Sequence, residues 1–473
     1  MTEQKDNRTK TFFKNFGIYT IGSLGTRLIN FLLIPFYTFF VAKPSDYGYY
    51  DICLQICMLF LPLATLQMRE SAFRFLFESD SDEKRKQIVT FIYKTLIGNL
   101  ILILAIAVFL SFMVDIKFMW YTCGLLITMS IHEVACQISR GLQRNDIYVT
   151  CNLLNALLVS VFSVLLLALF DMGVEGIFIA NILSRIIIII FIEIRLRVFT
   201  KFFKFGIDTK QIGKELLKYA LPLIPSAMCW LVTTSSDRFF IRAFVSTDMN
   251  GIYAVAVRFS MILQTFAFIF YQTWQETALT QYNAKDRDDF FSKIFNSFLY
   301  VLVLLLVAYT FFLKMNYSWL IHANYQGGVT LLYLMGVSVL LVSIASYFFE
   351  LGYQCAKDTK RIVRSILFTA ILSVTLNFTL TPHFGIYGVI ATNIIAYLFL
   401  AVYRFIDTRK YFTISVSKNS YLLVAIIVIG AVMYAHDGGV VYDLCCMIAL
   451  IACLLCLVPK SLISLLPKLR KRS

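Results

Sequence analysis

The sequence predicts an all-α polytopic membrane protein with about fourteen transmembrane helices. Three observations carry that class. Of the 473 residues, 59% are hydrophobic and 15% charged, whereas soluble domains run near half apolar and about a quarter charged. The charges are bunched between apolar runs of roughly the 20 residues a helix needs to cross the hydrocarbon core. The basic residues also sort by side, with 34 of the 43 Lys and Arg falling on one face when the runs are alternated across a membrane.

Apolar windows lie at 16–40, 47–68, 88–111, 118–138, 147–170, 174–194, 219–243, 250–273, 290–313, 328–351, 362–381, 385–406, 419–435 and 441–459. The first follows a polar, basic "MTEQKDNRTKTFFKNFG". It is too long for a signal-peptide core and no small-residue cleavage site stands out, so it reads as a span that stays. With the N-terminus inside, the outer face carries only Lys43, Lys117, Arg238, Arg242 and Lys314, and Arg27, Lys94, Arg185 and Arg258 fall within spans. A missed span would invert the alternation and mix the two sets, so the split supports fourteen spans with both termini cytoplasmic.

Short repeats organise the chain. "GVEGIFIANILS" (173–184) parallels "GIYGVIATNIIA" (385–396), aligning Gly173, Gly176 and Asn181 with Gly385, Gly388 and Asn393; Asp146 and Asp358 keep the same spacing. "PSDYGYYDI" (44–52) parallels "STDMNGIYAVA" (246–256), with Gly48 against Gly251. The reading is two six-helix lobes, 1–200 and 215–410, joined by a cytoplasmic linker at 201–214, with an additional helix pair and basic tail at 411–473. Six is even, so the lobes are parallel repeats, a transporter architecture with the substrate path between the halves.

The eleven Cys show no paired spacing beyond Cys445-Cys446; Cys53, Cys57 and Cys151 lie in apolar runs and are expected reduced and inert. The net charge of +15 fits basic loops that set topology and touch anionic lipid, with no nucleic-acid partner.

The second half carries more specific patterns: "PLIP" at 222–225, Asp237-Arg238 near the end of the seventh span, "GIY" at 251–253 opening the eighth, and Trp274-Gln275. "RESAFRFLFES" (69–79) and "GIYGVIATNII" (385–395) accompany them. In order and spacing the chain resembles the Wzx-type polysaccharide-biosynthesis flippases of the multidrug/oligosaccharidyl-lipid/polysaccharide (MOP) superfamily. The resemblance covers nearly the whole chain. It implies two six-helix lobes in a V, a MATE-like fold, and alternating-access translocation of an undecaprenyl-pyrophosphate-linked oligosaccharide from the cytoplasmic to the outer leaflet. The extra helix pair is similar to that of peptidoglycan-precursor flippases, where added helices form a groove for the lipid tail.

Ionisable residues inside a bilayer cost a few kcal/mol each and mark functional sites by default. Arg27 lies mid-span beside Gly22, Gly25 and Asn30; it is read as facing a cavity, with an ion pair to an acid such as Asp51 as the structural alternative. Arg258, on a helix with Tyr253 and Gln264, is read the same way. Arg185, one turn past Asn181, has Tyr397 as its repeat partner, and cavity and structural roles stay open. Asp237, Arg238 and Arg242 form either an outer gate or anion relay, or an interfacial anchor. Asp51 and Glu133 are candidates for coupling or for structural contacts. A deep set that is mostly arginine suits an anion, because guanidinium grips phosphate oxygens with two parallel hydrogen bonds.

The expected function is therefore a flippase for surface polysaccharide such as O-antigen, capsule or exopolysaccharide, in a bacterial cytoplasmic (inner) membrane. It would work as a monomer, without a cofactor, alongside membrane lipids and a polysaccharide polymerase. A multidrug or cation antiporter on the same scaffold would want deep carboxylates, which are few. A glycan polymerase or ligase would need a sizeable extramembrane loop, and the predicted outer loops are short. There is no HExxH or GxGxxG, and "ESDSDEKRK" (78–86) reads as a solvated loop instead of a metal site. No enzyme is expected. Pro222 and Pro225 remove backbone donors, so a break is expected where the seventh span begins.

Overall fold

The computed structural model describes residues 31–458 apart from 80, 114–116 and 357, together with Gly25 and Ile29. All regular structure among them is helical. Arg27 and most of the first apolar window lie outside the described residues.

The chain divides into two compact units. The first holds Tyr49–Ser235 with the described residues up to Val41; the second holds Ala42–Gly48 and the chain from Ser236 onward.

The first unit starts with the apolar helix α1 (Phe31–Phe40) and α2 (Pro44–Ala64), whose first residues belong to the second unit. A short α3 (Met68–Phe77) follows, entered through left-handed backbone at Leu66 and Gln67. It falls on the stretch the sequence placed in a cytoplasmic loop. Ten half-polar residues are too few to span, and α3 is instead held against a later helix, its Ser71 hydroxyl donating to the Leu216 carbonyl at 3.2 Å.

Helix α4 (Asp82–Ser111) begins inside "ESDSDEKRK". Ser81 accepts from the Lys84 N–H at 3.2 Å, and Asp82 and Glu83 sit in the first turn, where acids favour the helix dipole. Half of that predicted loop is thus a helix start. Then come α5 (Met119–Gly141), α6 (Asn145–Leu169, ending in a π turn), α7 (Gly173–Leu196), the single-turn α8 (Val198–Phe202), and α9 (Lys210–Ala220). The linker expected at 201–214 is therefore partly helical. The chain breaks at Leu221–Pro222 before α10 (Leu223–Phe244), as the missing donors require.

The second unit takes the end of α10 and then α11 (Thr247–Gln281), α12 (Arg287–Leu320), α13 (Ala323–Cys355) and α14 (Thr359–Asp407). Ser246 caps α11 by accepting from the Met249 N–H at 3.0 Å. Helix α14 is two helices joined at Gly385, whose φ of 56° is left-handed. A side chain is strained there, and glycine adopts it freely.

The last pair, α15 (Lys418–Ala435) and α16 (Gly439–Cys456), docks on α12 at both ends. At one end the Asn296 amide donates to the Ser415 carbonyl (3.0 Å) and its oxygen accepts from the Ser417 N–H (2.9 Å) and the Ser420 hydroxyl (2.6 Å). At the other, the Lys314 ammonium donates to the carbonyls of Tyr434 (2.9 Å) and His436 (2.8 Å), satisfying the end of α15, and pairs with buried Asp443 at 2.9 Å.

Eleven of the helices among the described residues are long and apolar enough to cross a membrane. The sequence windows partition the chain differently. Lys360–Lys410 is one candidate that contains the Gly385 break, and the polar His132 and Glu133 of α5 keep that 23-residue helix out of the eleven. Their outer surfaces are apolar: Ile101, Leu102, Phe109, Ile194, Phe378, Val432 and Val441 are all more than half exposed. Water would not tolerate so large an apolar surface on a monomer, while lipid requires it. The chain is a multi-pass membrane protein.

Candidate functional site

Three motifs that the sequence singled out separately meet in the second unit. Asp237 and Arg238 come from α10, Tyr253 from α11 and Asn393 from α14, and all four are buried. Asp237 Oδ1 accepts from the Arg238 backbone N–H at 2.9 Å and from Arg238 Nη1 at 2.6 Å. Asp237 Oδ2 accepts from the Tyr253 hydroxyl and from Asn393 Nδ2 at 3.4 Å. Asn393 Nδ2 also donates to the Tyr253 oxygen at 3.2 Å, and the guanidinium lies over the Tyr253 ring, 5.4 Å from its centroid. The carboxylate thus holds four donors and one positive charge. Adjacent helix positions diverge by about 100°. The long arginine side chain nevertheless reaches round to Asp237.

The first unit contains a matching polar contact. Asn181 Nδ2, on α7, donates to the Tyr50 hydroxyl on α2 at 3.3 Å and to the Ile177 carbonyl at 2.9 Å. Tyr50 is braced edge-on by Phe178 at 5.0 Å. Asn181 and Asn393 are the repeat equivalents read from sequence, and Tyr50 and Tyr253 stand two residues past the equivalent Gly48 and Gly251. Among the described residues no acid joins this contact. Arg185 Nη1 donates to the Asn181 carbonyl at 2.8 Å and to its side-chain oxygen at 3.0 Å. At the Arg185 position the second unit has Tyr397, which faces Asp237 and Arg238.

The other candidates are dispersed. Arg258 is partly buried on α11 with its guanidinium 5.1 Å from the centroid of the Tyr47 ring, within the second unit. Arg242 is exposed two residues before the end of α10, while Arg238, four residues earlier, is 5% exposed, so the two do not share one environment. Arg238 therefore does not snorkel to headgroups. Asp51 is buried on α2. Glu133 on α5 lies 3.8 Å from Arg69. Arg27 is outside the described residues.

Sequence reasoning missed a third cluster. Arg404, counted with a cytoplasmic segment, is 0% exposed inside α14. Its Nε donates to the Ser365 hydroxyl at 3.1 Å, and Nη1 donates to the Ala345 carbonyl at 3.0 Å and Glu350 Oε2 at 2.7 Å. Ala345 lies in a π turn (Ile344–Phe349), where backbone bonding is irregular and a carbonyl is open to a side chain. No motif links residues so far apart. The only signal was an arginine at the end of an apolar run with an acid at the end of another.

Among the described residues no group of three His, Cys, Asp or Glu is arranged to hold a metal ion. Two of the three clusters pair their arginine with an acid, Arg238 with Asp237 and Arg404 with Glu350, while Arg185 bonds to Asn181.

Comparison with known proteins agrees on the class. No curated protein matches the chain. A solved structure of the lipid II flippase MurJ in an inward closed conformation superposes with a TM-score of 0.72 at 14% identity, over 95% of this chain and 99% of that one. An inward-facing multidrug resistance MATE family transporter of the MOP superfamily superposes with a TM-score of 0.61 at 15% identity, over 85% of this chain and 96% of that one. At these identities the likeness shows the fold alone; the two matched proteins are a flippase and a transporter, not enzymes. The sequence model described as polysaccharide biosynthesis protein matches residues 12–275, more than half of the chain, ending on the Trp274-Gln275 pair. The chain belongs to this polysaccharide biosynthesis protein family.

Proposed function

We propose that the chain is a flippase that moves undecaprenyl-pyrophosphate-linked oligosaccharide repeat units from the cytoplasmic to the outer leaflet of a bacterial cytoplasmic membrane, by alternating access, for surface polysaccharide assembly. One observation carries the reading: a member of a polysaccharide-biosynthesis family is folded along 95% of its length like a lipid II flippase. The physical task fits the residues. A glycan and a pyrophosphate must cross while the lipid tail stays in the bilayer, so the protein must supply polar, cationic positions within apolar helices. Arg27, Arg185 and Arg258 are the proposed substrate contacts. Asp237, Arg238 and Arg242 are proposed to act near the outer end of the path. Asp51 and Glu133 are the acids proposed for coupling or support.

The same reading takes the chain as fourteen spans with both termini cytoplasmic, acting as a monomer that hands its product to a polysaccharide polymerase. A cation antiporter is less well served, because Asp237, Glu350 and Glu133 each face an arginine.

The test is a strain lacking the protein. Lipid-linked oligosaccharide should accumulate on the cytoplasmic leaflet and surface glycan should fall. Unchanged surface glycan with no accumulation overturns the proposal. Arg27→Ala should abolish surface glycan while the protein stays in the membrane, and Arg27→Lys should be partly tolerated.

A further inference from the structure

The duplicated Asn–Tyr contact carries different charge in the two units. In the second unit the Asn393–Tyr253 pair holds Asp237, whose carboxylate is matched by Arg238, so that cluster is neutral. In the first unit the Asn181–Tyr50 pair holds Arg185, and among the described residues no carboxylate lies within ion-pair distance of it. Glu133 is near enough to interact electrostatically, but its carboxylate is turned to Arg69 at 3.8 Å. Among the described residues the first-unit cluster therefore keeps a positive charge that the second-unit cluster has cancelled.

Three features say what that charge is for. Arg185 is the thirteenth residue of the 24-residue α7, so it lies ~18 Å from either helix end at ~1.5 Å per residue, too deep for easy snorkelling. Arg185 is half-buried as a residue, whereas Arg238 is 5% exposed. Among the described residues both of its hydrogen bonds run through Nη1 to Asn181, and Nε and Nη2 form a pair of adjacent donors. Two parallel N–H groups on a fixed planar cation match two oxygens of a phosphate. Asn181 is itself fixed, because its Nδ2 is committed to Tyr50 and to Ile177, which turns its oxygen toward Arg185.

We infer that Arg185 binds a phosphate oxyanion and that Asn181 and Tyr50 are positioning residues that aim its free edge. The inference rests on the flippase reading for the identity of the anion, the pyrophosphate of a lipid-linked glycan; a phospholipid headgroup has the same chemistry and is the competing source.

The test uses the full chain purified in maltoside micelles, with farnesyl pyrophosphate as the probe and farnesol as its uncharged control. Wild type should bind the pyrophosphate at least ten-fold more tightly than farnesol. Arg185→Gln should lose at least ten-fold, and Arg185→Lys should recover part of it. Asn181→Asp should lose as much while the protein stays folded and no less heat-stable, because the new carboxylate pairs with Arg185 and cancels its charge. A purely structural role would not separate stability from affinity in this way. Tyr50→Phe should lose a few-fold. The control change Tyr333→Phe removes a hydroxyl that donates to the Ile427 carbonyl at 3.1 Å, away from every proposed site residue, and should lower thermal stability while leaving affinity within two-fold. Unchanged affinity in both Arg185→Gln and Asn181→Asp, or equal losses in Tyr50→Phe and Tyr333→Phe, overturns the inference. Displacement of the probe by equimolar phosphatidylglycerol overturns the assignment to a lipid-linked substrate and names the headgroup as ligand. Full transport by an Arg185→Gln variant with unchanged affinity removes this site and leaves the flippase reading standing. A wild type that binds the probe yet moves no lipid-linked oligosaccharide does the reverse.

Discussion

Removing the Asp237 carboxylate should be among the most damaging single changes in the second unit, and more damaging than removing its arginine. Asp237 is 4% exposed and Arg238 5%, so neither charge has water to fall back on. Four donors converge on the carboxylate: the Arg238 backbone N–H, Arg238 Nη1, the Tyr253 hydroxyl and the Asn393 amide. The two neutral interhelical bonds are worth only ~0.6 kcal/mol each by the average for membrane proteins, so together about 1 kcal/mol. The charge dominates, because leaving one member of a buried ion pair uncompensated costs about 3–5 kcal/mol. Asp237→Ala is therefore expected to cost about 4–6 kcal/mol. Arg238→Ala leaves the carboxylate with the backbone N–H, Tyr253 and Asn393, three of its four donors, and should cost less, about 2–3 kcal/mol, the value of a hydrogen bond to a charged group at the upper end of its range. The double change removes both charges and leaves Tyr253 and Asn393 bonded to each other at 3.2 Å, so it should be milder than the sum of the singles by about 2 kcal/mol or more. Unfolding of the purified variants in mixed micelles, followed by intrinsic fluorescence, gives the three values and their coupling. An Asp237→Ala protein as stable as wild type, a larger loss for Arg238→Ala, or strict additivity would each refute the reasoning.

Three further outcomes follow from the same structure. Gly251 meets backbone: a Cβ there would sit 1.9 Å from the Pro44 carbonyl oxygen, so Gly251→Ala should cost at least the 1–3 kcal/mol typical of overpacking, roughly, whereas Gly98→Ala, with nothing within 4 Å, should gain about 0.5–1 kcal/mol; thermal melts of the two variants compare them directly. Arg404→Ala should destabilise by about 3–5 kcal/mol because Glu350 loses its cation inside the helices, and Arg404→Lys should rescue only part, since one ammonium cannot serve Ser365, Ala345 and Glu350 together; the same melts decide it. Outside the spans, the Tyr411 hydroxyl and Arg361, both at 2.8 Å, hold the Asp358 carboxyl below its ordinary 3.8. A depressed acid stabilises above its unfolded value and loses that contribution as pH falls through the folded one. The difference in melting temperature between wild type and Asp358→Asn should therefore be full at pH 7 and shrink only below about pH 4; a difference that stays flat from pH 7 to pH 3 counts against the contact.

What was legible in the sequence, and what was not, follows from the range of the forces involved. Composition and run length report the solvent of a helix surface, so the membrane class and most of the helices could be read directly. Asp237, Gly251-Ile252-Tyr253 and Asn393 could be found because they recur in order and spacing, but their meeting could not, since Tyr253 and Asn393 are 140 residues apart. Arg404 was misplaced for a related reason. Hydropathy averages a window, and an arginine followed closely by Arg409 and Lys410 looks like the start of a loop, while the carbonyl that receives it is open only because Ile344–Phe349 winds as a π turn. Periodicity cannot show that. The ten-residue α3 escaped because it is amphipathic and short, held by contacts such as Ser71 to Leu216 and not by its own apolar length.

The repeats repay the closest argument. Matching letters between two apolar helices are weak grounds for duplication, because small and aliphatic residues recur by composition. A matching contact is a stronger ground. Asn181 reaches Tyr50 across 131 residues, and Asn393 reaches Tyr253 across 140, in hydrogen bonds of 3.3 and 3.2 Å. Chance resemblance within each helix supplies no reason for the two partners to come together twice. Divergence after duplication would supply one, and would also account for the difference that remains. Once an Asn–Tyr pair is in place, an acid or a base can be added beside it, and each choice needs its own countercharge or its own use. The second unit supplied Arg238 to Asp237. The first placed Arg185 beside Asn181 with no acid in ion-pair range among the described residues, and a mid-helix cation left in that state is retained at a cost of a few kcal/mol, which binding an anion would offset.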